Sequence, residues 1–295
     1  MIQHAFVQAN GLRFHVAQCG EGERLALCLH GFPELWISWR YQMPLLARLG
    51  YRVWAPDLRG YGETERPSGV ASYAIERLMD DVAGLIDASG ARRVLLIGHD
   101  WGAIVAWYFA IRRVRALERL AILNVPHPGP SEQVFRTWKQ LKRSWYALFF
   151  QIPRLPELLL TSGGARRLAD VFRTLTLRPE NFPEEVIEAY RKSWLAPGAM
   201  TAMLDHYRAL VRGGGIRRQR ALGLPVIETP TLMLWGEQDL ALTKEGTFGT
   251  DRFVKHLTLR YLPDASHFVQ QDAQAEVNEM LEAWLTDRPV PGSPT

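Results

Sequence analysis

An aspartate lies at the centre of Gly98-His99-Asp100-Trp101-Gly102, between two apolar runs. Residues 94–97 have the composition of a buried strand, and residues 103–110 have that of a helix. The stretch predicts a sharp strand-to-helix turn, with glycines where side chains would clash with neighbouring backbone. A carboxylate held in such a turn can attack a saturated carbon that bears a leaving group, forming an alkyl ester of the enzyme. The alternative is an ordinary turn whose aspartate caps the helix.

An alkyl ester is stable, so turnover would need a base that activates water and an acid that orients the base. Asp239 and His267 each follow a later strand-like segment. Because the carboxyl ends of parallel strands meet at one edge of a sheet, we expect these two side chains to lie close together. Asp239 is predicted to orient His267. Glu237 and Asp264 remain alternatives for the acid, and His256 remains one for the base.

Two backbone amides are predicted to stabilise the oxyanion that forms when water attacks the ester. Trp101 directly follows Asp100 and supplies the first amide. Phe32 follows another strand-like segment and supplies the second, whereas Pro33 has no amide hydrogen to donate. A plain tight turn at Phe32 is the alternative.

The elements that must position these residues alternate between strand and helix in the first part of the chain. Predicted strands cover 12–18, 25–29, 52–56, 93–97, 117–123, 231–235 and 258–262, and predicted helices cover 39–49, 75–88, 103–110 and 273–285. The pattern predicts an α/β fold with a mostly parallel sheet flanked by helices. Residues 1–125 and 221–295 would form the core, and residues 126–220 read as an inserted helical cap. The Pro- and Gly-rich tail, 287–295, is expected to fray.

Composition narrows the class of protein. The chain has 295 residues, of which 47% are hydrophobic and 22% are charged, values typical of a globular protein. The net charge is +4, with basic clusters at 136–143 and 212–220 that we interpret as solvated faces, so no nucleic-acid partner is expected. No apolar run approaches the roughly 20 residues that span a bilayer, and no membrane partner is expected. The two cysteines, Cys19 and Cys28, imply no disulfide framework and fit a cytoplasmic location.

Three motifs resemble the epoxide hydrolase branch of the α/β-hydrolases. They are Gly98-His99-Asp100-Trp101-Gly102, Asp57-Leu58-Arg59-Gly60-Tyr61-Gly62 and His30-Gly31-Phe32-Pro33-Glu34-Leu35-Trp36-Ile37-Ser38-Trp39-Arg40. The order nucleophile, acid, histidine is also that of the α/β-hydrolases, although serine usually stands where this chain has Asp100. The resemblance covers nearly the whole chain and is weaker in the cap. It implies that water opens a small apolar epoxide to a vicinal diol, with no metal or organic cofactor.

The resemblance also implies two cap tyrosines that hold and protonate the epoxide oxygen. Tyr146 and Tyr207 occupy similar positions. A phenol with a pKa near 10 stays protonated at neutral pH and can donate to a developing alkoxide. Packing in the cap core is the alternative for both.

Three further residues are assigned around the substrate. The resemblance suggests that Glu34 positions the hydrolytic water near His267, and a surface carboxylate is the alternative. Trp36 and Trp101 are expected to line an apolar pocket.

Two other functions remain open. A haloalkane or haloacid dehalogenase of the same fold also uses an aspartate nucleophile, although a haloalkane dehalogenase usually has asparagine where this chain has Phe32. A ligand-binding receptor without turnover is the second, and the complete set of Asp100, Asp239 and His267 argues against it. The sequence leaves open whether the protein is a monomer or a homodimer, and whether its role is detoxification or biosynthesis.

Overall fold

The computed structural model describes residues 1–292 and is built around one eight-stranded sheet. Its strands are β1 (Gln3–Ala9), β2 (Leu12–Cys19), β3 (Arg24–Leu29), β4 (Tyr51–Pro56), β5 (Arg93–His99), β6 (Arg119–Leu123), β7 (Thr231–Gly236) and β8 (Leu257–Leu262). Their order across the sheet is β1-β2-β4-β3-β5-β6-β7-β8. The pairs β1/β2 and β2/β4 are antiparallel and the remaining pairs are parallel. The predicted α/β fold is therefore confirmed. Of the predicted frayed tail, residues 293–295 lie outside the described residues.

Helices cover both faces of the sheet, as apolar side chains on both sides of the central strands require. They are α1 (Gln42–Arg48), α2 (Ile75–Ser89), α3 (Trp101–Ile111), α11 (Val269–Asp272) and α12 (Gln274–Leu285). In β5, Leu96 packs in the core beneath α2 and α3, and its neighbour Leu95 packs in the core beneath α1 and α12. This alternation follows from the two-residue period of a strand.

A wholly described helical segment connects β6 to β7. Its helices are α4 (Pro128–Val134), α5 (Trp138–Arg143), α6 (Trp145–Phe149), α7 (Leu155–Leu175), α8 (Glu184–Trp194), α9 (Ala199–Val211) and α10 (Gly215–Ala221), and α7 is interrupted by non-helical residues at 162–165. The segment contacts the loops that leave the sheet. The Trp194 indole donates to the Pro33 carbonyl at 2.6 Å, and the Gly62 amide donates to the Ser193 hydroxyl at 3.2 Å. The division into core and cap at residues 126 and 220 stays a prediction.

The hairpin of β1 and β2 was not predicted from the sequence. β1 pairs with β2 over its whole length, and Asn10 and Gly11 join the two strands with positive φ angles of 46° and 73°. Within residues 1–292, no helix combines the length and the apolar character that crossing a bilayer requires.

Candidate active site

Asp100 occupies the sharp turn between β5 and α3, at φ 46° and ψ −117°. The glycines on either side of it lie where the backbone approaches closely. A Cβ on Gly98 would lie 2.6 Å from the backbone of Gly102, and a Cβ on Gly102 would overlap the backbone of Leu29. The Asp100 side chain makes no capping hydrogen bond to α3. The alternative of a simple helix cap is therefore wrong.

The two carboxylate oxygens of Asp100 have different surroundings. Oδ1 accepts a hydrogen bond from the Phe32 amide at 2.6 Å, and Oδ2 lies 3.6 Å from Nε2 of His267. The peptide bond between Phe32 and Pro33 is cis. Trp101, the second predicted amide donor, begins α3 beside Asp100, and its amide makes no hydrogen bond to the carboxylate in the described part of the chain. One oxygen is thus anchored, and the other faces the histidine.

Asp239 and His267 lie together as predicted, with Oδ2 of Asp239 2.7 Å from Nδ1 of His267. The other Asp239 oxygen, Oδ1, accepts the amides of Ala241 and Leu242 at 2.7 and 2.8 Å. These bonds fix the carboxylate, which is 2% exposed.

The alternative acids and base lie elsewhere. Glu237 forms an ion pair with Lys244, Asp264 is exposed, and His256 is exposed before β8.

Asn124 is a site residue that the sequence analysis missed. It directly follows β6, and its amide nitrogen donates to Oδ2 of Asp239 at 2.8 Å. Its amide oxygen accepts the Gly236 amide at 2.8 Å. Asn124 therefore couples the acid to the end of β7.

The charges of the three residues reinforce one another. Burial opposes ionisation of Asp100, but the hydrogen bond and charge of His267 lower the pKa of this carboxyl below its usual value. Burial likewise opposes ionisation of Asp239, whose pKa is lowered by His267 and by Asn124. Burial disfavours the charged form of His267, yet the two carboxylates raise the pKa of this imidazole well above its usual value. The two carboxylates therefore favour the protonated form of His267.

Aromatic rings of the helical segment pack against Phe32 and Trp101, the two residues whose amides are the predicted donors beside Asp100. The Tyr207 ring of α9 meets the rings of Phe32 and Trp101 edge to face, with centroids 5.5 and 5.0 Å apart. Tyr146 of α6 lies 6.2 Å from Tyr207 in the same geometry, and the buried Phe150 packs against both tyrosines at 5.6 and 5.0 Å. The structure thus brings both predicted tyrosines to one place.

The two phenols are held in the protonated form. Burial raises the pKa of Tyr146, and the negative charge of Asp100 raises it further. The same two causes raise the pKa of Tyr207 well above its usual value. Both phenols are therefore proton donors at neutral pH, within electrostatic reach of Asp100.

Glu34 is completely buried, so the alternative of a surface carboxylate is wrong. Its Oε2 lies 2.7 Å from Nδ1 of His99, and its Oε1 accepts the side-chain amides of Gln270 and Gln271 at 3.0 and 2.7 Å. Nε2 of His99 lies 2.8 Å from the backbone carbonyl of His267. Glu34 therefore reaches the loop of the proposed base through His99.

Trp36 does not join the rings around Tyr207. Its ring lies 4.9 Å from that of His4, on β1, and its amide donates to Oδ1 of Asp57 at 3.0 Å.

A separate cavity of about 740 Å³ lies along β8 and α12, with Tyr261 and Met280 among its walls. The alternative acids Glu237 and Asp264 line it, but none of the residues assigned to the site does. Within residues 1–292, no group of three or more His, Cys, Asp or Glu side chains has the arrangement of a metal site.

Comparison with known proteins identifies relatives along nearly the whole chain. The α/β hydrolase fold family matches residues 27–274. The AB hydrolase superfamily protein YfhM of Bacillus subtilis is 38% identical over 96% of this chain and 98% of that protein. Epoxide hydrolase 4 of Mus musculus is 36% identical over 96% of this chain and 80% of that protein. The crystal structure of a Bacillus megaterium epoxide hydrolase with an inhibitor superposes with a TM-score of 0.87, at 29% identity over 96% of this chain and all of that one.

Proposed function

The chain belongs to the α/β-hydrolase fold family, in the branch that contains the epoxide hydrolases, and from this we propose that it opens an epoxide to a vicinal diol through an alkyl ester on Asp100. One observation carries the proposal. Oδ1 of Asp100 is held by the Phe32 amide and Oδ2 faces His267, while two phenols held in the protonated form lie within electrostatic reach of the carboxylate.

In the first half-reaction, Oδ2 of Asp100 attacks an epoxide carbon and the bond from that carbon to the epoxide oxygen breaks. The oxygen takes a proton from Tyr146 or Tyr207, and the other phenol donates a hydrogen bond to it. Because Oδ1 is anchored, it becomes the carbonyl oxygen of the ester. The apolar rings around the phenols favour a small apolar epoxide as the substrate.

In the second half-reaction, His267 takes a proton from water and the resulting hydroxide adds to Cγ of Asp100. The negative charge that develops on Oδ1 is stabilised by the Phe32 amide, and the Trp101 amide is the proposed second donor. Collapse expels the alkoxide, which takes the proton from His267. The remaining proton of the water returns to the phenol, so the reaction is balanced without a cofactor.

The charge arrangement links the two half-reactions. Before alkylation, the carboxylate of Asp100 stabilises the protonated form of His267. Ester formation removes that negative charge, so His267 releases its proton to solvent more readily and becomes available as a base, and it takes a proton back from solvent when ester hydrolysis restores the Asp100 carboxylate. Asp239 keeps the imidazole oriented throughout. Glu34 and His99 hold the backbone of the loop that carries His267, and in this way Glu34 supports the place where the water is activated.

The test is diol formation from a panel of aryl and alkyl epoxides, measured for the wild type, for Asp100→Ala and for the exposed control Asp264→Ala. Diol from the wild type and the control, with none from Asp100→Ala, would support the proposal. Normal diol formation by Asp100→Ala would overturn the mechanism. Halide release from haloalkanes or haloacids without diol would indicate a dehalogenase, and saturable epoxide binding without product would indicate a receptor.

A further inference from the structure

Exposed apolar side chains concentrate in one short part of the helical segment. Nine of the twenty exposed large apolar residues among residues 1–292 lie between positions 135 and 159. Monomeric soluble proteins rarely expose contiguous apolar surface on this scale unless it serves an interaction. These nine residues are Phe135, Trp138, Leu141, Trp145, Leu148, Ile152, Leu155, Leu158 and Leu159.

Four of them lie on the two consecutive helices α5 and α6, and we call these four the apolar face. Trp138 and Leu141 are three residues apart on α5, and Trp145 and Leu148 are three residues apart on α6, so each pair lies on one side of its helix. Their side chains are 72%, 44%, 61% and 65% exposed. The opposite side of the same segment contributes Tyr146 and the buried Phe150 to the site. The short helix α6 is therefore apolar on both sides, whereas an ordinary surface helix is polar on its outer side.

The charge around the apolar face is positive. Residues 133–156 contain five basic side chains and no acidic one. The five are Arg136, Lys139, Lys142, Arg143 and Arg154.

Neighbouring acids neutralise only part of this charge. Arg136 pairs with Glu132 and Lys139 pairs with Glu245. Lys142 and Arg154 are exposed and form no ion pair within the described residues. The Lys142 ammonium lies 5.3 Å from the centre of the Trp138 ring, directly beside the apolar face.

We propose that the apolar face binds the surface of an anionic lipid bilayer. Tryptophan and leucine on one side of a helix, flanked by lysine and arginine, are the composition of segments that lie in the headgroup region. The basic side chains would contact lipid phosphates while the apolar ones enter the boundary with the acyl chains. This binding needs no spanning helix. It departs from the sequence-based expectation that the basic cluster at 136–143 is a solvated face and that the protein has no membrane partner.

The charge pattern favours a bilayer over the other occupants of such a surface. A second copy of the chain would add its own Lys142 and Arg154 to the same interface and, between positions 133 and 156, no acidic side chain to pair with them, which costs free energy. A nucleic acid would use the cations but would leave Leu141 and Leu148 without apolar partners. A lipid surface satisfies both kinds of side chain at once.

The test is flotation of the intact protein with two kinds of vesicle, one of phosphatidylcholine alone and one with about one-third phosphatidylglycerol. We expect binding to the anionic vesicles only, weakening as salt shortens the Debye length. The double variant Trp138→Gln/Leu148→Gln should bind at least tenfold more weakly, and so should Lys142→Gln/Arg154→Gln. Leu222→Gln and Arg92→Gln, at exposed positions elsewhere, are the matched controls and should bind like the wild type.

A melting temperature like that of the wild type shows that each variant is folded, and this readout does not depend on the proposed function. Absence of binding to anionic vesicles at low salt would overturn the proposal, as would wild-type binding by both double variants. Sedimentation analysis tests whether the apolar face is instead the interface of a dimer. A dimer that becomes monomeric in Trp138→Gln/Leu148→Gln, without vesicle binding, would assign the face to a second copy and would also overturn the proposal.

Discussion

Replacing His267 with glutamine should separate the two half-reactions, because it removes the proposed base and leaves the nucleophile in place. The side-chain amide of glutamine can still donate a hydrogen bond to Asp239, but it cannot take a proton from water. We expect the Asp100 ester to form and then to persist.

The structure sets the size of the effect. Nε2 of His267 and Oδ2 of Asp100 lie 3.6 Å apart. At an effective dielectric constant near 20, the opposite charges of the two groups attract each other by about 5 kcal/mol. Losing this interaction raises the pKa of Asp100, so the experiment is done at pH 8, far above the ordinary carboxyl pKa of about 4. A positioned general base contributes about 10²- to 10⁴-fold to its step. Steady-state diol formation should fall by that factor, while alkylation continues.

Intact-protein mass spectrometry is the assay. After mixing with a small excess of epoxide, His267→Gln should gain the mass of one epoxide per chain, and peptide mapping should place the adduct on Asp100. The double variant His267→Gln/Asp100→Ala should gain nothing. His256→Gln, which changes an exposed histidine, is the control for the substitution and should turn over normally.

Two results would refute the reasoning. Diol formation by His267→Gln at the wild-type rate would show that another group activates the water. An adduct on a residue other than Asp100 would show that the nucleophile has been misassigned.

Three further predictions concern other parts of the site. Asn124→Ala removes a hydrogen bond that lowers the pKa of Asp239. A lowered carboxyl pKa stabilises the folded protein above the pKa of the unfolded chain, and this stabilisation is lost in acid. In urea unfolding, the variant's free energy of unfolding should therefore be lower by about 1–3 kcal/mol at pH 7, and the difference should shrink towards pH 3. Tyr146→Phe and Tyr207→Phe should each slow alkylation about 10- to 100-fold in single-turnover experiments, with melting temperatures unchanged, and the double variant should lose far more. Gly102→Ala should lower the free energy of unfolding by about 1–3 kcal/mol or more, because its Cβ would overlap a neighbouring strand.

Local patterns in the sequence were sufficient to predict the turn that carries Asp100. The alternation of Leu95 and Leu96 between the two cores follows from strand geometry, and the glycines follow from close packing. The meeting of Asp239 and His267 was also predictable, since both follow neighbouring parallel strands. The same argument applies to Asn124, which follows β6. The prolines after Asn124, however, indicate a turn and give no sign that its side chain has a function.

Contacts between distant parts of the chain were not predictable in this way. Glu34 is buried because Gln270 and Gln271, more than 230 residues later, donate to it, and no local pattern encodes that approach. The strand β1 is different, because Asn10-Gly11 is a strong hairpin signal in the sequence. The motif around Trp36 predicts that this side chain lines the pocket. In the structure the Trp36 ring contacts His4, a residue from a distant part of the chain.

The unequal surroundings of the Asp100 oxygens give each of them a different fate over repeated catalytic cycles. Oδ1 is fixed by the Phe32 amide, so in the proposed cycle it stays with the protein. Oδ2 leaves in the diol, and an atom from the solvent replaces it. The first diol that a protein molecule releases would then contain the Oδ2 atom that Asp100 acquired when the protein was synthesised. Each later diol would contain an oxygen atom taken from water in an earlier cycle. If turnover takes place in water that carries a heavy oxygen isotope, the Asp100 carboxylate would become labelled at one of its two oxygens.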